Sequence, residues 1–107
     1  MYKFKSKAAA DLVMLAAAGD HVLALLGREP AREGIFEAGD LARLASRLQE
    51  AVTVDEAAHA VAVREALERG EAPPRPPDGV TLRQRVWPLV AMMRRCETAG
   101  EPIVWGV

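Results

Sequence analysis

Apolar and polar residues change rhythm several times along the chain, and each rhythm predicts an element. From Tyr2 to Lys7 the period is two, which places Tyr2 and Phe4 on one face of a strand and Lys3, Lys5 and Lys7 on the other. Leu12-Val13-Met14-Leu15 is an unbroken apolar run that suits a second strand, with Ala8-Ala9-Ala10 as the link of a hairpin. Gly19-Asp20 closes that strand, and Asp20 is placed to cap a short helix that carries Val22, Leu25 and Leu26 and stops at Gly27. Gly34-Ile35-Phe36-Glu37 offers a very short third strand.

The clearest helical spacing follows Asp40, where Leu41, Leu44, Ala45, Leu48 and Val52 recur every three or four residues. Prolonging that stripe would put Asp55 and His59 among the apolar positions, so the spacing predicts a break. Thr53-Val54-Asp55-Glu56 then reads as a capping box that opens a separate helix from Val54 to Gly70. Prolines dominate the connector 71–79 and hold it extended. A second capping box, Thr81-Leu82-Arg83-Gln84, opens a helix with the seam Leu82, Val86, Leu89, Met93 and Cys96. Pro88 falls inside it and predicts a bend or a restart near Trp87. Gly100 and Pro102 end this helix, and Ile103 to Val107 form a last strand. The order β-β-α-β-α-α-α-β predicts an α+β fold, a small sheet of three to four short strands covered on one face by about four helices.

A length of 107 residues fits one domain, 1–107, with the proline-rich connector inside it. Fourteen Lys and Arg against fifteen Asp and Glu give a net charge of -1, which excludes the broad basic footprint of a dedicated nucleic-acid or anionic-membrane protein. The lone Cys96 excludes an internal disulfide and a zinc knuckle built on paired cysteines, and it fits a reducing cytoplasm. Asp11 interrupts the alanine-rich stretch near the N-terminus that would otherwise imitate a secretory signal. No apolar run approaches the roughly 20 residues that span a bilayer. Alanine makes up about a fifth of the chain and aromatics only 5 %, so the expected core is thin, and self-association would add useful burial.

Phe4-Lys5-Ser6-Lys7, Leu12-Val13-Met14-Leu15, Gly34-Ile35-Phe36 and, above all, Leu82-Arg83-Gln84-Arg85-Val86-Trp87-Pro88-Leu89 carry a resemblance to an uncharacterised bacterial domain-of-unknown-function family, DUF1840. The likeness spans nearly the whole chain and is weakest between Ala57 and Gly79. It implies a small cytoplasmic α+β protein and carries over no activity and no functional residue.

The residues themselves offer few routes to chemistry. Acid–base catalysis would turn to His21 or His59, but His21 beside a helix start reads more simply as a surface residue. Glu56 and His59, three residues apart with Asp55 one turn before His59, imitate half of a carboxylate-bridged metal site; the plainer reading is a capping glutamate beside a solvated histidine. Cys96 lies near the C-terminal end of its helix, where nothing activates a thiolate, and reads as a core residue. Gly34 to Gly39 lack the glycines and the Lys-Ser/Thr of a phosphate loop, and no cofactor is implied. The row Lys3, Lys5, Lys7 suits an edge strand guarded against further pairing.

Arg83, Trp87 and Arg94 fall within a narrow arc beside the apolar seam of the last helix. A tryptophan flanked by guanidinium groups has the composition of an interface hot spot or of a stacking platform for an anionic ligand; alternatively, Trp87 packs under the proline connector. The leading expectation is a non-enzymatic cytoplasmic interaction or regulatory module that uses this trio on a protein partner or a second copy of itself. A nucleic-acid-binding protein using Lys3, Lys5 and Lys7 with Arg83, Arg85, Arg94 and Arg95 is the first alternative. A small metal-binding protein or enzyme built on Asp55, Glu56 and His59 is the second.

Overall fold

The computed structural model describes residues 1–107 except for the side chain of Pro77. Four antiparallel strands, β1 (Tyr2–Ser6), β2 (Ala9–Met14), β3 (Gly34–Phe36) and β4 (Ile103–Trp105), form one sheet in the order β2-β1-β4-β3. Three α-helices accompany it: α1 (Ala16–Leu25), α2 (Leu41–Glu68) and α3 (Leu82–Ala99). The fold is thus α+β as expected, with three α-helices where four were predicted.

The alternation of β1 places its rings as the sequence predicts. Tyr2 and Phe4 are buried and Lys3 is exposed on the opposite face. The strand is nevertheless not an edge: β4 pairs on its other side, so the lysines do not guard an unpaired rim. Lys3 lies 3.6 Å from Asp11, and Lys5 Nζ donates to the Val107 carbonyl at 3.4 Å. The hairpin turns at Lys7-Ala8 instead of across the three alanines, with the Ala8 amide donating to Ser6 Oγ at 3.3 Å. The register slips between Phe4 and Ser6, so that Ala10 and Asp11 both face Lys5, and this bulge lets β2 begin earlier than its apolar run.

The start of α1 also differs from expectation. Ala16-Ala17-Ala18, the best helix formers available, are the first turn of α1, so Gly19 and Asp20 lie inside the helix and Asp20 does not cap it. Gly19 is needed there because any Cβ would collide with the Tyr2 ring. Asp20 instead accepts the Tyr2 hydroxyl at 2.5 Å.

The predicted break at Thr53 is absent, and α2 runs unbroken for 28 residues, about 42 Å at 1.5 Å per residue. Thr53 Oγ1 donates back to the Gln49 carbonyl at 3.2 Å, and the Glu56 carboxylate is held by Arg83, so neither side chain caps a new helix. Asp55 and His59 stay out of the core because the core ends first. Leu41, Leu44, Ala45, Leu48 and Val52 are buried, and then no α2 residue is buried until Ala66. The molecule is accordingly elongated, 51 × 25 × 22 Å.

Residues 71–80 lead from α2 to α3, whose start is the capping box read from the sequence: the Gln84 amide donates to Thr81 Oγ1 at 3.1 Å and the Thr81 amide to Gln84 Oε1 at 2.9 Å. No restart occurs at Pro88, because Val86 and Leu89 on either side are fully buried and hold the two turns in line while one amide bond, to the Gln84 carbonyl, is forgone. Gly100 ends α3 in the left-handed conformation (φ 68°), with the Glu101 amide closing on the Cys96 carbonyl at 3.0 Å.

Four of the five aromatic residues meet on the covered face of the sheet. Phe4 stacks with Tyr2 and with Phe36, each at 6.0 Å between centroids, and meets Trp105 edge-on at 5.6 Å; Phe36 and Trp105 are 4.7 Å apart. Gly34, opposite Trp105 in the register, leaves room for the indole, whose Nε1 donates to the Ala31 carbonyl at 3.1 Å. Val86, Leu89, Met93 and Cys96 of α3 join Leu44 and Leu48 of α2 over this platform.

Candidate functional site

Trp87 is the aromatic residue left out of that core, 40 % exposed on α3. Steps of four and seven residues bring Arg83, Trp87 and Arg94 onto one flank of α3, and that flank borders α2. Arg83 Nη2 donates to Glu56 Oε1 at 2.6 Å and its Nε to Oε2 at 3.4 Å, while its guanidinium carbon stands 4.8 Å from the centre of the Trp87 ring. One planar cation is thus shared by a carboxylate and an indole, which fixes the orientation of both without burying either.

The Arg83 hydrogen bonds and charge hold the Glu56 carboxyl below the usual carboxylate range, and Glu56 raises the Arg83 pKa in return. A depressed carboxylate pKa stabilises the fold above the ordinary carboxylate range, and that contribution fades as pH falls through the lowered value. Solvent exposure keeps it small.

Arg94 makes a second bridge between the helices. Its Nη2 donates to Gln49 Oε1 at 2.8 Å and to Ser46 Oγ at 3.3 Å, and its Nη1 lies 3.5 Å from Glu97. Trp87 therefore sits between two arginine bridges that tie α3 to α2 at separate levels. The guanidinium groups are both positioned, and the partly apolar surface between them is Trp87, Pro88 and Ala91, all exposed.

The other basic candidates do not join this flank. Lys3 and Lys5 project from the sheet face that the helices leave uncovered, Lys7 is in the hairpin turn, Arg85 is half-buried and Arg95 is exposed. The three residues of the metal-site reading are also separated in role. Glu56 is engaged by Arg83, Asp55 lines a groove beside α2, and His59 is exposed. Among the described residues no group of three or more His, Cys, Asp or Glu could hold a metal ion. Cys96 is a free buried thiol on the α3 seam, and His21 is exposed on α1.

A groove of about 880 Å³ was not foreseen from the sequence. It runs between α1 and α2, with Leu25, Ala51, Val54 and Leu82 as its apolar surface and Arg43 and Arg47 along its side. Its signal is the spacing Ala51, Val54, Ala58, Val61, which is visible only if α2 is read as continuous through Thr53.

The family model described as a domain of unknown function (DUF1840) matches residues 1–105. The chain belongs to the DUF1840 family. That match contains every strand and helix of the fold and every residue of the Arg83–Trp87–Arg94 flank. No curated protein and no solved structure matches the chain significantly. No helix among the described residues is long and apolar enough to cross a membrane.

Proposed function

We propose that this chain is a protein-interaction module whose binding surface is the outer flank of the α2/α3 pair, centred on Trp87, and whose partner presents an acidic segment with an apolar side chain. The observation that supports this most is the held, half-open indole: Arg83 keeps Trp87 oriented from one side while the other remains open to solvent. A large side chain ordered before binding loses little conformational entropy when a partner covers it, which is how tryptophan and arginine come to dominate interface energies. The guanidinium groups of Arg83 and Arg94, held on either side of Trp87, support an acidic partner. We read the module as cytoplasmic, in keeping with its single free thiol.

The test is a fluorescence titration with two designed amphipathic peptides, one rich in Glu and Leu and the other in Lys and Leu. Binding of the acidic peptide alone, weakened by salt and abolished in Trp87→Ala with its circular dichroism unchanged, is expected. Binding of neither peptide, binding that survives Trp87→Ala, or preference for a single-stranded oligonucleotide over the acidic peptide would overturn the reading.

A further inference from the structure

We propose that two copies of this chain pair through the exposed face of α2, running antiparallel about a twofold axis near Val54 and Ala58. This face is half a turn round the helix from Glu56 and the Trp87 flank, so the proposal stands without the partner reading above.

The face is built by one continuous spacing. Val54, Ala58 and Val61 form its middle, and Val54 and Val61 are 64 % and 41 % exposed. Arg43 and Arg47 precede them on the same side, and Glu65 and Glu68 follow. From Arg43 to Glu68 the row extends about 37 Å at 1.5 Å per residue. Beside its first half lies the groove, where Leu25 and Leu82 add apolar surface; beside its second half nothing is buried until Ala66. One end of the face therefore has space to receive a helix and the other end is a helix without a covering.

The charges specify what fits. A parallel copy would set arginine against arginine and glutamate against glutamate. An antiparallel copy sets Arg47 against the partner's Glu65 and Arg43 against the partner's Glu68, and the twofold axis repeats both pairs. In the same register Val54 meets the partner's Ala58, and Ala51 meets the partner's Val61, with small residues at the crossing that allow close approach of the two backbones. Glu50 comes near the partner's Arg64, a third pair of opposite sign. Arg47 is already positioned, since its Nε donates to the Leu25 carbonyl at 3.2 Å. The surface is complementary to itself only under this operation, which favours a second copy over an unrelated helix.

Light scattering behind size exclusion, from micromolar to millimolar concentration, tests the pairing. The wild-type chain is expected to dimerise within that range. Ala58→Glu, which sets two carboxylates together at the axis on an exposed and helix-tolerant site, is expected to be monomeric with unchanged circular dichroism. Glu65→Arg should weaken the dimer at least about tenfold, and adding Arg47→Glu in the same chain should recover it. A wild-type monomer at every concentration, a dimer indifferent to Ala58→Glu, or a double variant no tighter than Glu65→Arg would overturn the proposal.

Discussion

Trp105 and Trp87 occupy opposite ends of the exposure scale, 2 % and 40 %, and the regions around them differ in the same way. Trp105 is surrounded by Phe4, Phe36 and the space left by Gly34, and its indole N–H is satisfied by a backbone carbonyl. Trp87 is positioned by one guanidinium, itself exposed. The first half of α2 is lined by leucines that reach the core, whereas the stretch from Thr53 to Glu65 contains four alanines and no fully buried side chain. Aromatic rings are concentrated where they stabilise the sheet, so the helices could be extended past it with small residues. The difference separates a region whose residues hold the fold from one whose residues are free to meet other molecules.

Mutations at matched positions sharpen that separation. Trp105→Ala is expected to destabilise the chain by about 3–5 kcal/mol, measured by urea unfolding, since it empties a packed aromatic site. On α2 itself, Leu48→Ala should cost about 2–5 kcal/mol, while Val61→Ala, about three and a half turns further along the same helix, should change stability by less than about 0.5 kcal/mol in dilute solution. Equal effects at these two positions would erase the division of α2 into a core half and a free half. Thr81→Ala removes an observed capping box and is expected to cost about 1 kcal/mol, whereas Thr53→Ala, which caps nothing, should not destabilise the chain.

The pH dependence should follow the same geography. The hydrogen bond to Asp20, together with burial and the Asp20 charge, raises the Tyr2 pKa above its ordinary value of 10.0. A raised pKa means that the stabilisation is complete below pH 10 and is lost as pH rises through the folded value, because the ionised phenolate fits the folded site worse than water. Thermal unfolding followed from pH 8 to about pH 11 should therefore fall more steeply for wild type than for Tyr2→Phe. At the helical end, Glu56→Gln should produce the smallest change in stability of the set, because the Glu56–Arg83 pair is open to solvent.

Local patterns that depend on near neighbours were legible in the sequence. The alternation in β1, the Thr81–Gln84 box, the α3 seam and the glycines ending all three helices appear where the chain itself announces them. Features decided by distant partners were not. Thr53-Val54-Asp55-Glu56 satisfies the capping-box pattern as well as Thr81 to Gln84 does, but Glu56 is drawn to Arg83, 27 residues away, and the helix continues. Asp20 looks like a cap until the Tyr2 hydroxyl claims it. The lysine row gives no sign that β4 pairs alongside β1, because strand order is set by how the chain ends come together. Helical spacing alone brought Arg83, Trp87 and Arg94 to one flank; their bridges to Glu56, Gln49 and Ser46 required α2 to lie beside α3. The groove beside α2 was hidden for the same reason, since it needs both a continuous α2 and the packing of α1 against it.

Trp87 belongs to a surface and Trp105 to the core. Urea unfolding of Trp87→Ala and Trp105→Ala beside the wild type, followed by far-ultraviolet circular dichroism so that neither loss of an indole affects the signal, tests this division most directly. Trp87→Ala is expected within about 1 kcal/mol of wild type, against a loss of several kcal/mol for Trp105→Ala. A Trp87→Ala variant as unstable as Trp105→Ala would contradict it and make Trp87 a structural residue of the α2/α3 pair.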